Sequence, residues 1–224
     1  MTTSRSTRAL LAWALGELGA VQQGLEIARV AVERGNHVPP FRPWALAALA
    51  RLELWKGDPN AAEVHLREAD STLLLQGSAL SPVFVMLTKA ELALVRQDYA
   101  AAIVIADRLL EYLRQTETRV LASDALFLKA RGLLGSRQVD AADKVLRQAE
   151  SEATAVGSRR SHWNILLALS RLEAERGRLQ DAATLRARAR DMVQELVDSL
   201  RQPELRLAFE QLPATVAVLT PGGA

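Results

Sequence analysis

Ser161-His162 is the pair in this chain that comes nearest to a nucleophile beside its base. Neighbouring residues on a helix point apart, however, and a catalytic triad needs its members to converge, so the pair reads better as the polar start of a helix. The other two histidines, His37 and His65, stand in different parts of the chain, and no two histidines share a spacing that could hold a metal ion. Glu173 and Glu175 lie two apart, face different ways on a helix and read as solvated charges. No GxxxxGK[ST] or GxGxxG pattern exists, so phosphate cradling has no support. The run RARAR at 186–190 puts Arg186 and Arg190 on one face that could grip phosphate. Asp181, Asp191, Glu195 and Asp198 share that helix, and a salt-bridged exposed face is the better reading. No catalytic residue, metal site or cofactor is therefore assigned, and enzyme is the least favoured class.

Composition narrows the rest. The 224 residues are 49% hydrophobic, ample for a sizeable core, and contain no cysteine, which excludes disulfides and thiolate chemistry. A formal net charge of +2, with both signs mixed along the chain, leaves no electrostatic footprint for nucleic acid or a membrane surface. Lys56, Lys89, Lys129 and Lys144 are the only lysines; so strong a preference for arginine points to a GC-rich genome. Arg5 and Arg8 precede an apolar run that Glu17 cuts short, too weak for a signal peptide, and nothing approaches the roughly 20 apolar residues that span a bilayer. A cytoplasmic protein without membrane contact is expected.

What repeats is a neighbourhood rather than a motif. Around Gly19, Gly57, Gln97, Arg137 and Gly177, spaced by 38, 40, 40 and 40, a small residue stands seven before (Ala12, Ala50, Ala90, Ala130, Ser170) and another five after (Gly24, Ala62, Ala102, Ala142, Ala182). A bulky residue follows each anchor by two, and twelve after come Ala31, Ala69, Leu109, Ala149 and Ala189. Small residues on both sides of a turn let two helices interlock closely. Each unit thus reads as a helical hairpin of about 40 residues. First helices are placed near 5–18, 43–56, 82–96, 119–134 and 160–176, and second helices near 20–34, 59–76, 99–114, 138–156 and 179–200. Pro39, Pro40, Pro43, Pro59, Pro82, Pro203 and Pro213 fall between these or in a first turn, and Gly35, Gly77 and Gly157 stand where second helices should stop. The sequence predicts one all-α, right-handed solenoid over 1–219, with units near 5–34, 43–76, 82–114, 119–156 and 160–200. Residues 203–219 form its cap, with Leu205, Phe209 and Val216 covering the last hairpin, and 220–224 form a disordered tail.

These offsets resemble the tetratricopeptide repeat, whose hairpins carry small residues, a glycine turn and a bulky turn residue in this order. The longer period is similar to the repeats C-terminal to the nucleotide-binding module of bacterial signalling ATPases, including LuxR-type regulators related to the maltose regulator, and of some multidomain cyclases. The ending DSLRQPELRLAFEQLPATVAVL, 198–219, resembles the tail that closes such arrays. The resemblance implies a cytoplasmic bacterial signalling or transcription-regulation context, with first helices lining a concave side. ATPase and DNA-binding roles are not implied, because no nucleotide-binding motif or DNA-reading domain is present.

On that geometry, positions thirteen, ten, six and two before each anchor face the concavity. The partner-binding groove is accordingly assigned to Trp44, Arg51, Trp55, Phe84, Glu91, Phe127, Arg131 and Arg171, with Arg51, Glu91, Arg131 and Arg171 as a charged stripe between the aromatics. The competing reading is that the longer repeat coils tightly and packs these residues helix on helix. Two functions follow. One is a non-catalytic interaction or scaffold module binding a peptide or partner domain in the groove. The other is an inducer-sensing domain binding a small molecule in the curl of the array. A closed concavity lined by paired polar groups would suit the second, and an open apolar trough the first.

Overall fold

The computed structural model describes residues 5–35, 41–73 and 80–220. Among the described residues it is all helix: α1 Arg5–Glu17, α2 Val21–Gly35, α3 Arg42–Lys56, α4 Pro59–Leu73, α5 Ser81–Val95, α6 Tyr99–Gln115, α7 Ala122–Gly135, α8 Val139–Ala155, α9 Arg159–Glu175, α10 Leu179–Ser199, α11 Pro203–Glu210 and α12 Pro213–Leu219. The first ten pair into five hairpins that stack in chain order as an α-solenoid. Three expectations need adjustment. α7 begins at Ala122 because residues 118–121 form an irregular turn. The cap is two short helices rather than one, split where Pro213 starts a new first turn. Gly77 lies outside the described residues, as does all of the expected tail except Thr220.

The repeating anchor has a physical cause. Gly19, Gly57, Gln97, Arg137 and Gly177 all have positive φ, between 58° and 95°. Each ends a first helix in the left-handed conformation, and the next residue's N–H reaches back to a carbonyl five residues earlier, as in Asp58 to Glu53 at 2.8 Å and Arg178 to Glu173 at 2.8 Å. Gly57 and Gly177 take this conformation freely, whereas Gln97 and Arg137 bear the side-chain clash of a left-handed residue. Five matching turns therefore deliver five second helices at matching angles.

The small residues set the distance. Ala12, Ala50, Ala90, Ala130 and Ser170 are buried at the crossings, as are their partners from Gly24 to Ala182. The Ser170 hydroxyl donates to the Ala182 carbonyl at 2.9 Å, a contact only a close crossing allows. Successive first helices also touch one another, α1 on α3, α3 on α5, α5 on α7 and α7 on α9, while successive second helices scarcely do. The stack therefore curls with its first helices inside.

The curl is tight enough to meet itself. Leu18, at the α1–α2 turn, packs with Trp163, Phe209 and Leu212 in the apolar cluster formed by α9 to α12. A Cβ added at Gly19 would lie 2.6 Å from the Ala208 carbonyl oxygen, so the cap rests directly on the first turn. Within the cap, Phe209 is buried edge-on to Trp163, with ring centroids 6.1 Å apart, and Leu205 is half-buried. Val216, expected to point inward, is exposed. Pro213 fixes the start of α12 so that Thr215 and Val218, three apart, face the core instead. Arg186 and Arg190 of the basic run donate to carbonyls of Ala217, Val218 and Thr220 at the end of α12, and Arg188 pairs with Glu150. The run is a C-cap for the last helix.

Gly19 and Gly177 provide a measurement of the closure. Both have left-handed φ, +81° and +75°, but only Gly19 is crowded, with nothing within 4 Å of a Cβ at Gly177. Gly177→Ala should cost about 1–2 kcal/mol for the dihedral alone, and Gly19→Ala should cost roughly 1–3 kcal/mol more because the cap must shift. Equal losses in denaturant unfolding would show that the two ends do not meet.

Candidate functional site

The five first helices converge on one cavity of about 790 Å³, whose remaining wall is made by Leu18, Val21, Leu196 and the cap residues Phe209, Leu212, Pro213 and Ala214. Its floor holds one charged side chain from each inner helix: Glu17 of α1, Arg51 of α3, Glu91 of α5, Asp124 of α7 and Arg160 of α9. Arg51 grips Glu91 through two parallel hydrogen bonds, Nε to Oε2 at 2.7 Å and Nη2 to Oε1 at 2.5 Å, and gives Nη1 to Glu17 Oε1 at 2.9 Å. Its guanidinium is held between the rings of Trp13, 4.0 Å away, and Trp55, 4.5 Å away. Arg160 Nη1 reaches the same Glu17 oxygen at 2.5 Å, and Trp13 Nε1 donates to it at 2.9 Å. Three donors from α1, α3 and α9 thus meet on one atom, the Arg160 donor standing 143 residues from Glu17.

Asp124 completes the floor differently. Its Oδ2 forms an ion pair with Arg160 Nη2 at 2.6 Å, and neither of these buried atoms has a second partner. The side chain is 13% exposed. Desolvation dominates and pushes its carboxyl up to about 6, against the pull of Arg160 and with the help of the Glu17 charge. For Arg51 and Arg160, burial disfavours the charge, but Glu91 and Glu17 in the first case and Asp124 and Glu17 in the second outweigh it and raise both pKa values.

The eight residues assigned from sequence divide into three groups. Arg51, Trp55, Glu91, Phe127 and Arg131 line the cavity. Trp44 and Phe84 do not: their rings stack at 4.6 Å, 8% and 7% exposed, with Trp13 edge-on to Phe84, because a close first-helix contact leaves those positions no opening. Here the competing reading, packing of helix on helix, describes them. Arg171 is exposed and lies outside the cavity. The stripe is thus broken: Glu91 pairs with Arg51, while no described carboxylate pairs with Arg131, which stands exposed with its guanidinium 6.0 Å from the Phe127 ring. Trp13, Glu17 and Arg160 were missed. The offsets of six and two, applied to the first anchor as well, give Trp13 and Glu17; Arg160 lies one turn before Asn164 and has no marker in the repeat.

Elsewhere, the Ser161 hydroxyl lies 3.0 Å from that of Ser123 and 3.3 Å from that of Ser158, and His162 Nε2 is buried without a partner, so no nucleophile and base meet. Glu173, expected to be solvated, is 2% exposed and bound by Arg147 at 2.5 Å and Arg178 at 3.2 Å, because it sits on the inner turn of the last hairpin; Glu175 is exposed. Among the described residues, no three His, Asp or Glu gather in a way that could hold a metal ion, and no helix is long and apolar enough to cross a membrane.

No family model and no curated protein matches the chain. Solved structures do. BtubC (BKLC) from P. vanneervenii aligns with a TM-score of 0.62 at 16% identity, over 91% of this chain and 87% of that one. The nearly identical TPR-like repeats of a Podosopora anserina putative kinesin light chain align with a TM-score of 0.56 at 17% identity, over 90% of this chain and all of theirs. A singly substituted form of those repeats aligns with a TM-score of 0.57, also at 17% identity, over 89% of this chain. The fold is a TPR-like solenoid. At these identities the likeness shows the arrangement of hairpins alone.

A carboxyl whose folded pKa is raised favours folding when protonated, so its contribution is full below the unfolded value near 3.9 and lost as pH rises through about 6. Stability of the wild type relative to Asp124→Asn should fall by roughly 2 kcal/mol between pH 4 and pH 7, somewhat less than about two pKa units at 1.36 kcal/mol each because the unfolded carboxyl is already about half ionised at pH 4. Chemical denaturation across that range measures the difference, and a flat one would place Asp124 in water.

Proposed function

We propose that the chain is a non-catalytic interaction module of a bacterial regulatory protein, in which the central cavity takes a compact ligand and the ring presents the result to a protein partner. The carrying observation is the contact of the cap with the Gly19 turn, which narrows the concave side to a half-enclosed chamber of about 790 Å³. That volume falls in the roughly 300–1,000 Å³ range of small-molecule sites. An extended peptide laid along the groove would need the ring to open. The paired charges of the floor and the aromatic wall of Trp55, Phe127, Trp163 and Phe209 fit the inducer-sensing reading of the concavity. TPR-like folds generally mediate protein–protein interaction, which supports a partner protein as the receiver. The resemblance of the period and the tail to LuxR-type and maltose-regulator arrays supports a cytoplasmic signalling context.

One observation favours direct capture of a protein segment. Trp55 is 37% exposed and Arg131 is exposed beside Phe127, so an apolar and a cationic contact stand where a protruding side chain could reach them. The two readings separate by size. An extract of the source cells should be dialysed, and the melting temperature of the chain measured with each fraction. The dialysable fraction should stabilise the wild type and leave Phe127→Ala unchanged, with Arg131→Ala folding within about 0.5 kcal/mol of wild type because its side chain is at the surface. Stabilisation by the retained macromolecules alone would move the assignment to a protein partner.

A further inference from the structure

We infer that the cavity selects a compact organic cation: a free primary amine on an aromatic or aliphatic body, its ammonium seated beside Asp124 and Glu17 and its body against Phe127, Trp163 and Phe209. The inference rests on the reading that the cavity is the recognition site, and adds the chemical class of the occupant.

The floor is unbalanced in charge and in hydrogen bonding. Three carboxylates, Glu17, Glu91 and Asp124, face two guanidiniums, Arg51 and Arg160, which leaves one negative charge uncompensated in a buried setting. Arg51 uses all three of its nitrogens, and Arg160 uses Nη1 on Glu17 and holds Nη2 against Asp124 as an ion pair. Acceptors remain. Glu17 Oε2 and Asp124 Oδ1 receive no hydrogen bond from any described residue, and buried Asp124 Oδ2 has only its ion pair with Arg160 Nη2. A buried acceptor without a donor costs free energy that a ligand recovers by supplying one. An ammonium supplies three N–H donors and the missing positive charge in one group. A carboxylate would add a fourth negative charge to the floor.

The wall fits the rest of such a molecule. Trp163 and Phe209 meet edge-on, and Leu87, Leu128 and Leu212 extend the apolar surface between them and Phe127. The sixth charged residue of the lining, Arg131, is exposed and therefore stands toward the mouth rather than the floor. The cavity is thus negative at its base and positive at its opening, a polarity that orients an amine with its head inward. Ring closure by the cap favours a free molecule over a lysine carried on a protein segment.

The probes are 2-phenylethylamine, 3-phenylpropanoate and 3-phenylpropanol, which share a phenyl body and differ in head group, together with an acetylated lysine-containing peptide. Binding to the full chain is measured by tryptophan fluorescence and calorimetry. The amine should bind saturably and at least about tenfold more tightly than the acid or the alcohol, 1.4 kcal/mol being a factor of ten. Its affinity should fall about tenfold from pH 7.5 to pH 5, because a carboxyl near 6 is mostly protonated at the lower pH while the amine stays charged throughout. Asp124→Asn should lose the preference and the pH dependence together; Glu17→Gln provides a second variant if the first fails to fold. Equal or tighter binding of the acid or alcohol overturns the cation while leaving the cavity as a recognition site. Binding of the peptide without the amine assigns the cation to a partner protein and overturns the free ligand. No binding of any probe overturns the inference, and the extract fractions then decide separately whether the cavity is a recognition site.

Discussion

Helix crossings made of alanine, glycine and serine are the constraint from which the rest of this molecule follows. Where two helices meet at residues with at most a hydroxyl beyond Cβ, their axes come to the short end of the usual 8–10 Å separation. The five left-handed turns ensure that every hairpin meets at the same height. Because first helices also touch their successors and second helices scarcely do, each added hairpin rotates the stack toward its inner side. Five such steps bring the last hairpin's cap onto the first hairpin's turn, and Gly19 supplies the clearance that the Ala208 carbonyl needs. The cavity is a consequence of geometry accumulated over five crossings, and its position at the centre obliges every inner helix to contribute to it.

A ring that closes must close in one register, and the charged floor supplies the registration. Apolar contacts between Leu18 and the cap are non-directional and would tolerate sliding. Glu17 Oε1 is not tolerant, since it is met by Trp13, Arg51 and Arg160 together. Buried ion pairs add little net stability over an apolar equivalent, because desolvation consumes most of the Coulombic gain, and their best-attested use is to fix which packing is adopted. Arg51 illustrates the economy: its flat guanidinium lies between two indole rings while its edge satisfies two carboxylates, so one residue joins the aromatic core to the floor.

The hairpins were legible in the sequence because their causes are local. A left-handed turn and a close crossing each demand particular residue types at fixed offsets, and five repetitions made those demands visible even where Gln97 and Arg137 replace glycine. The closure was not legible, because no local feature reports how far five small rotations add up. Trp44 and Phe84 occupy positions that face inward on any single hairpin, yet on this ring the neighbouring first helix covers them. Arg160 escaped for a related reason: it enters the floor only because α9 returns to α1, a contact between residues 143 apart that periodicity cannot encode. Val216 was misassigned because a helix of seven residues is set by its starting proline and by the groove it fills, and its apolar pattern is too short to fix a face.

The placement of Asp124 ties occupancy of the cavity to closure of the ring. Its carboxylate lies on Arg160, and Arg160 is also the residue through which α9 holds Glu17 of α1. Whatever changes the charge or hydrogen bonding of Asp124 therefore changes how firmly Arg160 is committed to that closing contact. Protonation acts on the same carboxylate by removing its charge, and the elevated pKa of the buried group places that change close to neutrality. Linkage requires reciprocity: a ligand that favours the closed ring must be bound more tightly by it, and a partner that holds the cap down must raise affinity in the cavity by the same factor. The cap rests on the Gly19 turn and also lines the cavity through Phe209, Leu212, Pro213 and Ala214, so the outer surface of the ring and its chamber share one element.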